Sequence, residues 1–134
     1  MTQTVESKAI SIQIERSMQE VYDFMAPPAS FARWASGLGK PLSHDGPVWI
    51  FEGETGPAKV RFTERNAYGV LDHYVLLPDG TEIYVPMRVI ANGTGSEVLF
   101  TLFRLPGMDD KKFAADAAWV LRDLHALKNL LEAT

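Results

Sequence analysis

The chain has 134 residues, 46% of them apolar and 22% charged, with ten Gly and eight Pro. This is enough for one domain with a core and an internal cavity, and too little for two. An excess of 17 acidic over 13 basic side chains, net −4, argues against a general nucleic-acid binder, which carries a basic surplus. Cysteine is absent, so disulfides, thiolate catalysis, zinc ribbons and iron–sulfur clusters are excluded.

Met1 to Lys8 is polar, and no apolar run approaches the ~18 residues of a membrane span. Neither a signal peptide nor a membrane span is expected, and a cytoplasmic protein of bacterial type is the default. The first strand signal is Ala9 to Glu15, where Ile10, Ile12 and Ile14 share one face. Ser17-Met18-Gln19-Glu20 then has capping-box form, in which Ser caps an amide and Glu reaches back to the cap's own N–H. Pro27-Pro28 ends that helix, and Pro28 suits the first turn of a second short helix, Ala29 to Ala35.

Turn signals rich in Gly and Pro next delimit five strand-like runs at 48–53, 58–65, 69–77, 81–91 and 97–105. The loops between them are short, which favours sequential antiparallel pairing. A last helix starts at Asp109 or Asp110, whose carboxylates suit its positive end, and runs to about Glu132. Its stripe is Phe113, Ala117, Val120, Leu124, Leu127 and Leu131, widened by Trp119 and Leu130. At 1.5 Å per residue it is about 34 Å long, enough to cross a sheet. A sheet with one such helix must curl around it to bury both apolar faces, so the fold class is α+β.

Leu77-Pro78-Asp79-Gly80-Thr81 has the residues of a three-residue hairpin loop. Counting back from it sets Val75 opposite Ile83, His73 opposite Val85 and Leu71 opposite Met87. The inner face is then Leu71, His73, Val75, Leu77, Ile83, Val85, Met87 and Val89. Val70, Asp72, Tyr74, Glu82, Tyr84 and Arg88 face outward. A two- or four-residue loop at Asn92-Gly93 turns Val98, Phe100, Leu102 and Arg104 inward; a three-residue loop reverses them. Thr101 and Glu97 suit solvent, which favours the first register.

His73 is the one ionisable side chain of the 71–89 inner face. It is either a cavity histidine that hydrogen-bonds a ligand or moves a proton, or a core histidine satisfied by a carbonyl or a water. Asp72 cannot orient it, because neighbours on a strand point to opposite faces. His44 reads as a loop residue and His125 as exposed; three scattered histidines give no metal spacing, and no metal or other cofactor is expected. Gly37-Leu38-Gly39 and Gly93-Thr94-Gly95 are too short for a phosphate loop. Lys59, Arg61 and Arg65 read as one solvated strand face. Tyr74, Tyr84 and the strand carrying Trp49 and Phe51 are candidates for an isologous homodimer contact.

Ser11-Ile12-Gln13-Ile14-Glu15-Arg16, the capped helix with Val21-Tyr22-Asp23-Phe24, and Phe31-Ala32-Arg33-Trp34 resemble the opening of the SRPBCC (START/Bet v 1-like) superfamily. Val70-Leu71-Asp72-His73, Pro78-Asp79-Gly80, Phe100-Thr101-Leu102-Phe103 and the helix with Trp119 and Asp123-Leu124 are similar to its small polyketide cyclase-like bacterial branch. The resemblance covers nearly the whole chain and implies a helix-grip fold, a curved antiparallel sheet around the C-terminal helix with an apolar cavity between them. Six strands are read here where that fold has up to seven, so one is either short or hidden within 40–46. Residues expected to line the cavity are Trp34, Leu71, His73, Val85, Met87, Phe100, Leu102, Arg104, Phe113 and Val120.

Three functions compete, since a shared fold does not set the chemistry. The first is binding of a small hydrophobic, lipid-like or aromatic, polyketide-like ligand, with His73 as polar handle. The second is a polyketide cyclase or dehydratase with His73 as acid/base and Arg104 stabilising an enolate; the lack of a second inward acid or base counts against it. The third is a protein-interaction module using the outer aromatic face.

Overall fold

The computed structural model describes residues 2–133. Strand β1 is Ser7–Ile14, helix α1 Met18–Met25, and a 3-10 helix follows at Pro28–Arg33. Strands β2 (Leu38–Asp45), β3 (Val48–Gly53), β4 (Ala58–Phe62), β5 (His73–Leu76), β6 (Glu82–Val85), β7 (Met87–Asn92) and β8 (Gly95–Phe103) precede helix α2, Asp110–Glu132. All pairings are antiparallel, in the orders β1-β8-β7 and β2-β3-β4-β5-β6. This is the helix-grip arrangement.

Both helices start where their caps require. Ser17 Oγ accepts the Glu20 N–H at 3.1 Å, and Asp109 Oδ1 accepts the Lys112 N–H at 2.8 Å. The first differs in detail from the capping box expected, because the Glu20 carboxylate takes the Ser17 hydroxyl (3.2 Å). Val21, Tyr22 and Met25 of α1 and Phe113, Leu124, Leu127 and Leu131 of α2 are buried. Helix α2 packs on β1 and β8, where Ile12 and Val98, then Ile10 and Phe100, are cross-strand partners.

The hairpin register follows from the turn. Gly80 has φ +91°, and Leu77 N–H reaches Thr81 O at 2.8 Å. His73 then faces Val85 and Val75 faces Ile83, and Leu71 N–H bonds Met87 O at 2.8 Å. The β7–β8 loop is two residues, with Asn92 opposite Gly95, which turns Val98 and Phe100 inward beside Val89 and Met87. Gly69 is needed where this pairing ends: its φ is +70°, and a Cβ there would run into the Val89 carbonyl oxygen.

Several expectations are corrected. The single 81–91 strand is two, β6 and β7, broken at Pro86, which has no N–H to give the ladder. Strand 58–65 stops at Phe62, so Arg65 leaves the Lys59/Arg61 face and pairs with Asp23 instead. The hidden strand is β2, and His44 sits on it rather than in a loop. Trp49 and Phe51 face inward: Trp49 opposes Val60, and Phe51 is wholly buried. They cannot share an outer surface with Tyr74 and Tyr84, whose stacked rings lie 5.1 Å apart.

Candidate ligand cavity

Between the 3-10 helix, the middle of the sheet and α2 lies a cavity of about 310 Å³. The 3-10 helix supplies Phe31 and Trp34, β4 supplies Ala58 and Val60, β5 His73 and Val75, β8 Phe100, and α2 Trp119, Val120 and Asp123. Proline starts the short helix at Pro28, and its tight pitch sets Phe31 and Trp34 on one side, with ring centroids 5.1 Å apart. Phe31, Trp34, Val60 and His73 are buried, whereas Trp119 is 39% exposed. The first group forms the floor and Trp119 the mouth.

His73 is the central polar group. Its Nδ1 lies 3.1 Å from Leu71 O, a carbonyl that can only accept, so Nδ1 carries the hydrogen and Nε2 is an unprotonated acceptor. Burial pushes the imidazole below its ordinary pKa, against weaker upward pulls from the Leu71 carbonyl and the Asp72 charge. His73 is therefore neutral at neutral pH. Two rings close it in, Phe31 edge-on with centroids 5.3 Å apart and Phe62 tilted at 5.9 Å. Trp34 Nε1–H is buried without a hydrogen-bond partner among the described residues. At the mouth the Asp123 carboxylate accepts from Ser36 Oγ (2.7 Å) and Ser36 N–H (3.3 Å).

Of the ten residues expected to line a cavity, Trp34, His73, Phe100 and Val120 meet at this one. Leu71, Val85, Met87 and Phe113 are buried away from its wall, and Leu102 is half-buried beyond it. Arg104 stands outside: its Nη1 donates to Glu6 (2.9 Å) and Asp110 (2.6 Å), and its Nε to Met108 O (2.9 Å). Those partners raise its pKa and hold its charge at the start of α2, which removes it as an enolate stabiliser. Phe31, Val60, Trp119 and Asp123 were missed as cavity residues. The Phe31-to-Trp34 spacing on a Pro-initiated helix was the available signal for the first; the Asp123–Ser36 contact spans 87 residues and left none.

A second, more open depression of about 740 Å³ is lined by Pro27, Pro28, Pro47, Trp49, Phe62 and Arg65 among others. Phe31 belongs to the cavity wall and Phe62 to this groove, and their centroids are 4.8 Å apart. Among the described residues no three His, Asp or Glu side chains stand close enough together to hold a metal ion, and no helix is long and apolar enough to cross a membrane.

The chain has the SRPBCC, or Bet v 1-like, fold. It is similar in structure to DynU16, a protein of the dynemicin biosynthetic locus (TM-score 0.72, 16% identity, 94% of this chain and 47% of that one). Aha1 from Colwellia psychrerythraea, solved as a dimer, is similar over 95% of this chain and 96% of its own (TM-score 0.71, 17% identity). Ara h 8.0201 is similar over 97% and 99% of the two chains (TM-score 0.72, 9% identity). At these identities the likeness is one of fold. No family model and no curated protein matches the sequence.

Proposed function

We propose that this protein binds a small hydrophobic molecule, aromatic or polyketide-like, in the cavity between α2 and the sheet. The observation that carries this reading is an apolar cavity of about 310 Å³ whose floor holds a buried His73. A core with no ligand to accommodate would be expected to fill such a space. Cavities for small molecules have this composition, an apolar wall with a few polar groups that set orientation. Fold neighbours such as DynU16, from a biosynthetic locus, support the reading by analogy alone. Native mass spectrometry of freshly purified protein should find a co-purified small molecule that Val120→Trp, which fills the cavity, excludes. Protein free of any adduct, and unresponsive to a panel of planar aromatics, would refute it.

The cyclase or dehydratase alternative retains one acid/base candidate, His73, and lacks Arg104. The Tyr74–Tyr84–Phe103 row on the outer face, stacked at 5.1 and 6.1 Å, is the surface for a second copy of this chain, a state known for the Aha1 neighbour. Sedimentation at micromolar concentration should show a dimer that Tyr84→Lys dissociates; a monomer in the parent protein would remove this contact.

A further inference from the structure

The floor of the cavity presents one hydrogen-bond acceptor and no cation, and from this we infer the chemical class of the occupant: an uncharged planar molecule bearing a hydroxyl group, bound in preference to the corresponding carboxylic acid. The inference rests on the cavity reading above and narrows it.

The acceptor is His73 Nε2. Its ring partner Nδ1 is committed to Leu71 O at 3.1 Å, and no group among the described residues donates to Nε2. Trp34 Nε1–H is no second handle: it is buried without a partner among the described residues and closed off from the cavity by protein atoms. The His73 and Trp34 rings both rest against Phe31, at 5.3 and 5.1 Å, so the acceptor stands beside an aromatic wall. A hydroxyl has one hydrogen and two lone pairs. It can give the hydrogen to Nε2, while the planar body lies among Phe31, Phe100 and Val120.

A carboxylate fails for two reasons. It only accepts, so against Nε2 it sets lone pair to lone pair. It would also surrender its hydration with nothing to replace it, because no Lys or Arg is among the cavity-lining residues described. The one charge on the wall, Asp123, has the same sign and stands at the mouth with Ser36. Of the nearby cations, Arg104 is held by Glu6 and Asp110, and Arg122 lies over the Trp119 ring at 4.8 Å, at the exposed mouth rather than at the floor.

The test is calorimetric titration of the intact protein near neutral pH with three probes of one shape: 2-naphthol, 2-methoxynaphthalene and 2-naphthoate. We expect 2-naphthol to bind tightest. The methyl ether, which cannot donate to Nε2, should bind about tenfold more weakly, the worth of one hydrogen bond. The carboxylate should bind weaker still, on the order of 100-fold. In His73→Phe the gap between naphthol and its ether should close, and in His73→Gln, which keeps an acceptor, it should persist. Equal or tighter binding of 2-naphthoate would overturn the inference and leave the cavity reading in place. Equal binding of naphthol and its ether in the parent protein would overturn it too, since the wild-type comparison does not depend on any variant folding. Failure of all three probes would remove the cavity reading, and this inference with it.

Discussion

Asp72 and Arg88 face each other across the break that Pro86 makes in the sheet, with Arg88 Nε and Nη2 at 3.0 and 2.9 Å from the two carboxylate oxygens. Asp72 Oδ1 also accepts the Met87 N–H at 2.9 Å. The carboxylate thus takes up a strand amide beside the residue that has none to offer. It reinforces the seam between the two hydrogen-bonded sheets, where Leu71 N–H to Met87 O (2.8 Å) and Val89 N–H to Gly69 O (2.9 Å) flank the Val70–Arg88 bridge. Burial by itself would raise the Asp72 pKa, but the Arg88 hydrogen bonds and charge and the Met87 N–H outweigh it, so the carboxyl titrates below its ordinary range.

Asp72→Asn should therefore lower stability at neutral pH by about 1–3 kcal/mol, the cost of weakening charge-assisted bonds to groups that stay in place. A depressed carboxyl pKa contributes stability above the ordinary aspartate range, and that contribution is lost as pH falls through the folded pKa. The gap between parent and variant should then shrink below about pH 4. Urea melts at neutral and acid pH measure both; a gap independent of pH would contradict the assignment.

His73 gives a second pH signature with its own window. Its folded pKa is lowered, so the unfolded chain binds the proton more readily, and stability rises with pH until the unfolded histidine is neutral. The contribution is complete above about pH 6.5 and declines as pH falls below it. His73→Phe should flatten the thermal midpoint between about pH 7 and pH 5. At neutral pH the variant should lose about 1–3 kcal/mol, because the Leu71 carbonyl is left without its donor. A parent protein whose midpoint does not fall over that range would show that His73 is protonated or exposed.

Leu124 is fully buried on the sheet side of α2. Leu124→Asp places an unpaired charge in the core and should leave the chain unfolded at room temperature, since the cost exceeds several kcal/mol. Circular dichroism is sufficient: a native spectrum with an unchanged midpoint would mean that α2 presents a different face.

Phe31 separates the cavity from the proline-rimmed groove, its ring against Phe62 at 4.8 Å. Phe31→Ala should cost about 3–5 kcal/mol as a large-to-small change in a packed site. It should also join the two spaces, so that a 4-alkylphenol with a chain too long for the parent cavity binds the variant. An unchanged length limit in folded Phe31→Ala protein would place the wall elsewhere.

Local chemistry made much of the fold legible. Ser17 and Asp109 announce their helices because a side-chain oxygen is needed where four amides lack partners. The Pro78-Asp79-Gly80 turn sets the register of β5 on β6 because only Gly takes the left-handed position there cheaply, and alternation then carries His73 to the inner face. The isoleucines of β1 and the stripe on α2 mark their buried sides by period alone. Strand β2 has no such period: it lies at the edge of its sheet, Lys40 to Asp45 are exposed, and its register on β3 shifts twice.

What the amino-acid order determined by itself were both capped helices, most of the strands, and the register of β5 on β6 that carries His73 inward, all of which depend on neighbours within a few residues. Tertiary structure alone decided what those side chains meet. Arg104, expected to turn inward on its strand, instead follows the end of β8, where Glu6, 98 residues away, and Asp110 capture it. Asp123 reaches Ser36 across 87 residues, and Phe31 closes the cavity against a strand that begins 27 positions later. Such contacts follow from how helix and sheet pack in space, and distance through space has no periodicity along the chain.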